Sequence, residues 1–167
     1  MLSKDEFKKV LGDEIRIIRH LATKLDGADG SYSPGEGMRT LDELLGYMSV
    51  CITAPADCLV KDDWSGVGEW MTRAGEVNVG NFDAAMGRQA EEIMAMIDGV
   101  PEADLTGREV GLPWGERLPL GEALHSSCVR FVVAYRMQLF LYLKQTTHPE
   151  MSTSNCWLGQ DAPPAEG

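Results

Sequence analysis

The stretch His125–Gln145, HSSCVRFVVAYRMQLFLYLKQ, decides the fold. It is the longest apolar periodic run in the chain, it holds no Pro or Gly, and it lies between Leu-Pro-Leu-Gly and Thr-Thr-His-Pro. Leu124, Cys128, Phe131, Tyr135, Gln138 and Tyr142 recur at alternating steps of four and three, the spacing of a helix face packed into a bundle. From Phe131 to Leu143 only Arg136 and Gln138 are strongly polar, which predicts a helix covered on more than one side. The run is too short and carries too much charge to span a bilayer. It is read as the last helix of a bundle, Leu120 to Gln145, whose covers are three partner helices and a second subunit.

Three further helical patterns precede it. Ser3-Lys4-Asp5-Glu6 has capping-box spacing, and Phe7, Leu11, Ile15, Ile18, Ala22 and Leu25 then mark one face, so a first helix is predicted over 4–25. A second capping box, Thr40-Leu41-Asp42-Glu43, opens a helix with the apolar face Leu41, Leu44, Leu45, Met48 and Ile52, and Pro55 predicts its end near Thr53. Asn81 is placed to cap a third helix whose face is Phe82, Met86, Gln89 or Ala90, Ile93 and Ile97, ended by Gly99-Val100-Pro101. Two long connections separate these elements. The first, 56–80, is expected to hold a short helical turn near Val67–Ala74, because connections of that length usually carry structure of their own. The second, 102–118, shows no strand pattern, and its Trp114 is expected to pack over an open end of the core.

The predicted fold is therefore all-α, a four-helix bundle with long crossover connections, in one domain over 1–145. The tail, 146–167, is expected to be partly disordered or docked on the bundle, with Cys156-Trp157-Leu158 docking first. A chain of 167 residues suits one core. Its net charge of −11 argues against a nucleic-acid surface, since phosphate neutralisation needs clustered Lys and Arg, and it disfavours anionic membranes. The start, MLSKDEFKK, has no apolar segment of signal-peptide type behind it. The cysteines Cys51, Cys58, Cys128 and Cys156 have no zinc-ligand spacing. Cytoplasmic location without a structural disulfide is the expectation.

Two segments resemble the DinB-like superfamily of helical bundles, which includes the YfiT-type metal-dependent hydrolases. GEGMRTLDELLGYM is similar to that family's loop into its second helix, where Arg-Ser/Thr is followed by Leu-Leu and a histidine. AYRMQLFLYLK is similar to its last-helix segment, and LPWGERLPL before it fits as well. The resemblance implies a site of three histidines holding nickel or zinc, one from the second helix and two from the last, four residues apart. Two imidazoles so spaced share one helix face, and an open position on the metal activates water or a thiol. Here Tyr47 stands at the second-helix position, and Phe131 and Tyr135 at the last-helix positions. Phenylalanine cannot ligate, and a neutral phenol is a poor ligand for either metal. The expectation is a degenerate site without metal or cofactor.

What replaces the metal site is expected to be a pocket lined by Tyr47, Phe131, Tyr135, Trp114 and His125, suited to a small, mostly apolar ligand with one polar anchor. The chain reads first as a ligand-binding or interaction protein, a homodimer through its last helix. The alternative is a superfamily enzyme, a thiol transferase or hydrolase, with a relocated metal site or none. Ferric iron held by Tyr47 and Tyr135 phenolates is a narrower possibility that would require their pKa values to fall from about 10. Only three histidines exist, His20, His125 and His148, and no two are four apart. No phosphate loop, nucleophile elbow or HExxH motif is present.

Overall fold

The computed structural model describes residues 3–163. Its order is α1 (Lys4–Ala22), α2 (Leu41–Met48), α3 (Thr53–Lys61), α4 (Val67–Ala74), α5 (Phe82–Asp98), α6 (Glu102–Gly107), β1 (Glu109–Gly111), β2 (Arg117–Pro119), α7 (Leu120–Leu124), a π-helical turn (His125–Val129), α8 (Arg130–Gln145) and a second π-helical turn (Ser154–Leu158). The four arms of the bundle are α1, the broken rod α2–α3, α5, and the rod from α7 through the π turn to α8. The fold is all-α apart from one small antiparallel hairpin, which pairs Val110 with Leu118.

Both capping boxes form as predicted, Ser3 with Glu6 and Thr40 with Glu43, each carboxylate reaching back to its cap's backbone N–H. The predicted faces of the first three helices form the core: Phe7, Leu11, Ile15, Ile18 and Leu25 meet Leu41, Leu44, Leu45, Met48 and Ile52, with Phe82, Met86, Ile93 and Ile97 between them, while Leu21 joins the core and the predicted Ala22 is only partly buried. The first helix ends at Ala22 rather than at residue 25, and Thr23 closes it by returning its hydroxyl to the His20 carbonyl. The helical turn predicted within the first crossover is α4.

Four sequence readings change. Pro55 does not end the second helix. The α-helix stops earlier, at Met48, crosses residues 49–52 as turns and resumes at Thr53, so Pro55 sits in the first turn of α3, where a backbone N–H is not needed. Asn81 takes the cap position of α5, but its side chain turns away, accepting from the Asn78 N–H at 2.9 Å and donating to the Glu76 carbonyl. The second crossover contains a helix and a hairpin instead of plain loop. Asp62 fixes the hairpin against the end of α3. Its carboxylate accepts from the Gly111 N–H at 2.6 Å and from the Arg117 guanidinium at 3.1 Å, and the Trp64 indole donates to the Gly111 carbonyl at 2.8 Å. Strand pairs of three residues are too short to leave a period-two pattern.

The fourth change is the rotation of the last helix. Its buried side is Leu124, Cys128, Val132, Arg136, Leu139 and Leu143, whereas Tyr135 and Gln138 are half-buried and Phe131 is exposed. A π turn bonds i to i−5, so it advances the chain less than a full α step and shifts the phase of everything after it. Of the six-residue stripe read from the sequence, Leu124, Cys128 and Tyr142 are buried in the core, whereas Phe131, Tyr135 and Gln138 lie along the helix edge.

Gly46 of α2 has no freedom to carry a side chain, because a Cβ there would lie 2.4 Å from the Ala74 carbonyl oxygen at the end of α4. Tyr32 plugs one end of the bundle, edge-on to Tyr142 at 5.7 Å, with its hydroxyl donating to Gln145. The rod Leu41–Lys61 is the one element among the described residues long and apolar enough to cross a membrane, and 72% of its apolar window is buried inside the bundle.

Beyond α8 the chain returns along α1. Met151, Asn155 and Cys156 are buried, while Trp157 and Leu158 of the segment expected to dock are exposed. Asn155 donates to His20 Nε2 at 3.1 Å, and Lys24 pairs with Asp161 at 2.7 Å. His20 is half-buried under the tail, and that burial holds its pKa below the ordinary value. Residues 164–167, the last part of the expected tail, lie outside the described residues.

Candidate functional site

The break in the α2–α3 rod faces the π turn of the last helix, and a pocket of about 210 Å³ lies there. One wall is Tyr47, Val50, Cys51, Ala54 and Pro55 from the broken rod. The crossover supplies Trp64, Val67 and Met71, the hairpin turn supplies Pro113 and Trp114, and the last helix supplies Ser127 and Phe131. Three of the four aromatic walls come from stretches whose positions are set by the Asp62 and Trp64 anchors or by the π turn.

Of the five residues expected at this site, Tyr47, Phe131 and Trp114 line the pocket. Tyr135 packs its ring on Tyr47 with centroids 4.8 Å apart and planes tilted by 55°. Trp114 does not cap an open end of the core. It stands at the rim, 62% exposed, with its indole N–H held by Glu116 at 3.1 Å. His125 does not join the pocket. It lies exposed in a different groove with Glu6, Phe7, Leu105 and Glu122.

Arg39 was not read from the sequence as a site residue, although it lies inside the GEGMRT segment. Its guanidinium sits 4.7 Å over the Tyr47 ring and 5.8 Å from the centre of the Tyr135 ring. Burial, the neighbouring Tyr135 phenol and Cys51 push the Tyr47 pKa up to about 12, with Arg39 offsetting only part of that. Burial likewise pushes the Cys51 thiol up to about 12, and the Cys128 thiol moves in the same direction. The groups around the pocket are therefore neutral at physiological pH, and the nearest cation already occupies the electron-rich faces of the tyrosines.

A dication does not fit this donor set. Phe131 offers no lone pair, the Tyr47 phenol would have to ionise against its surroundings, and Arg39 would repel the ion. The same raised pKa opposes a ferric phenolate centre. Among the described residues no three His, Cys, Asp or Glu side chains converge anywhere to hold a metal.

Ser127, also absent from the sequence expectations, is 1% exposed and its Oγ has no hydrogen-bond partner. Its neighbour Ser126 behaves as helix serines commonly do and returns its hydroxyl to the Ala123 carbonyl at 3.1 Å. The only local signal for Ser127 was its place on the wall side of a segment whose phase the π turn alters, and that turn is invisible to a 3.6-residue reading.

No family model matches the chain, and no curated protein matches it significantly. Solved structures do. A DinB-like protein, YjoA from Bacillus subtilis, superposes with a TM-score of 0.70 at 16% identity, over 87% of this chain and 95% of that one. A protein from Streptococcus pneumoniae gives 0.60 at 16% identity, over 87% and 93%. A third, from Clostridium difficile 630, gives 0.59 at 13% identity, over 88% and 98%. At such identities the likeness speaks for the arrangement of the helices alone, and it agrees with the segment resemblance around Tyr47 and Tyr135. The chain is a divergent DinB-like helical bundle in fold.

Proposed function

We propose that this protein binds a small, neutral, mostly apolar molecule in the pocket between the α2–α3 break and the last helix, at the place where the metal of related folds would sit. The observation that carries the reading is the pocket wall itself: aromatic and aliphatic side chains around about 210 Å³, with no charged residue on it. Its size fits one ring, given that a dry apolar cavity of about 150 Å³ holds benzene. Toluene titrated into isotopically labelled protein is expected to move the indole N–H signals of Trp64 and Trp114 with a Kd of roughly 1 mM or tighter, and Ala54→Phe, which fills the pocket, is expected to abolish the shifts. Shifts that are absent, or that survive in the filled variant, would overturn the reading.

The exposed residues Phe131, Ala134 and Leu141 follow one another at three and seven residues along α8 and so share a side. This strip supports a second copy of the chain as the partner, placed beside the pocket. Four free, buried cysteines suit a reducing compartment such as the cytoplasm.

A further inference from the structure

The polar groups on the pocket wall are few, and most are already engaged. The Trp64 indole N–H is given to the Gly111 carbonyl and that of Trp114 to Glu116. The Tyr47 ring packs on that of Tyr135, and burial keeps the Cys51 thiol neutral. Six side chains among the described residues carry a buried polar atom without a partner, and of these only Ser127 belongs to the wall. A buried hydroxyl is normally satisfied, so an orphan beside a cavity marks a position that something else completes. It lies in a π-helical turn, a feature that concentrates at functional sites.

We infer that Ser127 Oγ is the polar anchor of this pocket and that the ligand class is a neutral phenol of one ring. The inference rests on the binding reading above and adds the chemistry of the ligand. A phenol brings a ring for Tyr47, Trp64, Trp114 and Phe131 to enclose and one hydroxyl that can exchange a hydrogen bond with Ser127, which both donates and accepts. A carboxylate or ammonium would enter without a counter-charge, which burial penalises heavily. A pure hydrocarbon would leave the serine unsatisfied.

Toluene and p-cresol differ by one hydroxyl and form the test pair, with benzoate as the charged control. In the wild-type protein p-cresol is expected to bind about tenfold tighter than toluene, the worth of one net hydrogen bond, and benzoate not to bind. Ser127→Ala is expected to bring p-cresol down to the toluene value while toluene is unchanged, and Ser127→Cys to fall between. Equal affinity for both probes in wild type, or an equal loss of both in Ser127→Ala, would remove Ser127 as anchor while leaving the pocket reading intact. Failure of toluene and p-cresol alike to bind wild type would remove both.

Discussion

Replacing Arg136 with methionine is expected to lower the unfolding free energy by about 3–5 kcal/mol at neutral pH, the largest loss of any single substitution considered. Arg136 faces the core from α8, its side chain only 4% exposed, and pairs with the Glu14 carboxylate of α1, itself 15% exposed. Its guanidinium also lies 5.6 Å from the Trp157 ring of the returning tail, so one cation joins three segments. Burial raises the Glu14 pKa, and Arg136 draws it part of the way back. Without Arg136 that restraint goes and the folded-state value rises further above the unfolded one. An acid so shifted favours the folded state below its unfolded pKa, and this contribution is lost as pH rises through the folded value. The defect of Arg136→Met should therefore be greatest at pH 7 and shrink as Glu14 takes up its proton. Replacing both partners, Glu14→Met with Arg136→Met, should restore most of the stability, because no charge is then left buried. Urea unfolding of wild type and the two variants at pH 7 and pH 5 measures this. A single variant within about 1 kcal/mol of wild type, with no pH dependence, would show that the pair is worth no more than an exposed one.

The second large effect concerns Gln89. It is fully buried on α5, and its amide repairs the break between α2 and α3. Oε1 accepts from the Ile52 N–H at 3.0 Å and from the Thr53 N–H at 3.4 Å, and Nε2 donates to the Met48 carbonyl at 2.9 Å. Pro55 cannot lie inside a continuous helix, where it would clash with the preceding turn, and the break places it in the first turn of α3. Gln89→Leu keeps the volume and strands three buried backbone groups. At about 1–3 kcal/mol for each group left unsatisfied, a loss of about 3 kcal/mol or more is expected. Hydrogen exchange at the Ile52 and Thr53 amides should accelerate beyond the global change. If the variant unfolds like wild type, water or a backbone shift replaces the amide and the break is not held from α5. The pocket depends on this break, because Tyr47, Cys51 and Ala54 line it from either side of the interruption.

Much of the fold was legible because it rests on local rules. The two capping boxes, the helix faces from Phe7 to Ile97 and the helical turn at Val67–Ala74 each follow from spacing within a few residues. What escaped depends on long-range partners. Gln89 reads as one more face position, and only the broken rod opposite reveals its use. The π turn at His125–Val129 has no compositional mark, yet it moves Phe131 and Tyr135 to the helix edge and Arg136 into the core. At the site, the resemblance brought Tyr47, Phe131 and Tyr135 to one place because a separation of four on one helix and a facing position on another survive sequence drift. His125 was added by proximity in sequence, which on a helix says nothing about direction. Arg39, Trp64 and Ser127 came only with the coordinates, since each owes its position to an element elsewhere: the tyrosine pair, the hairpin and the π turn.

The central claim is that a neutral ligand pocket stands where related folds would carry a metal. Native mass spectrometry of protein purified without a histidine tag tests it most directly, and the same spectrum gives the number of chains. The account predicts the mass of two 18.3 kDa chains with only trace, substoichiometric metal. Nickel, zinc or iron near one per chain would contradict the reading of Tyr47, Phe131 and Tyr135 as a site without metal and would put the enzyme alternative first.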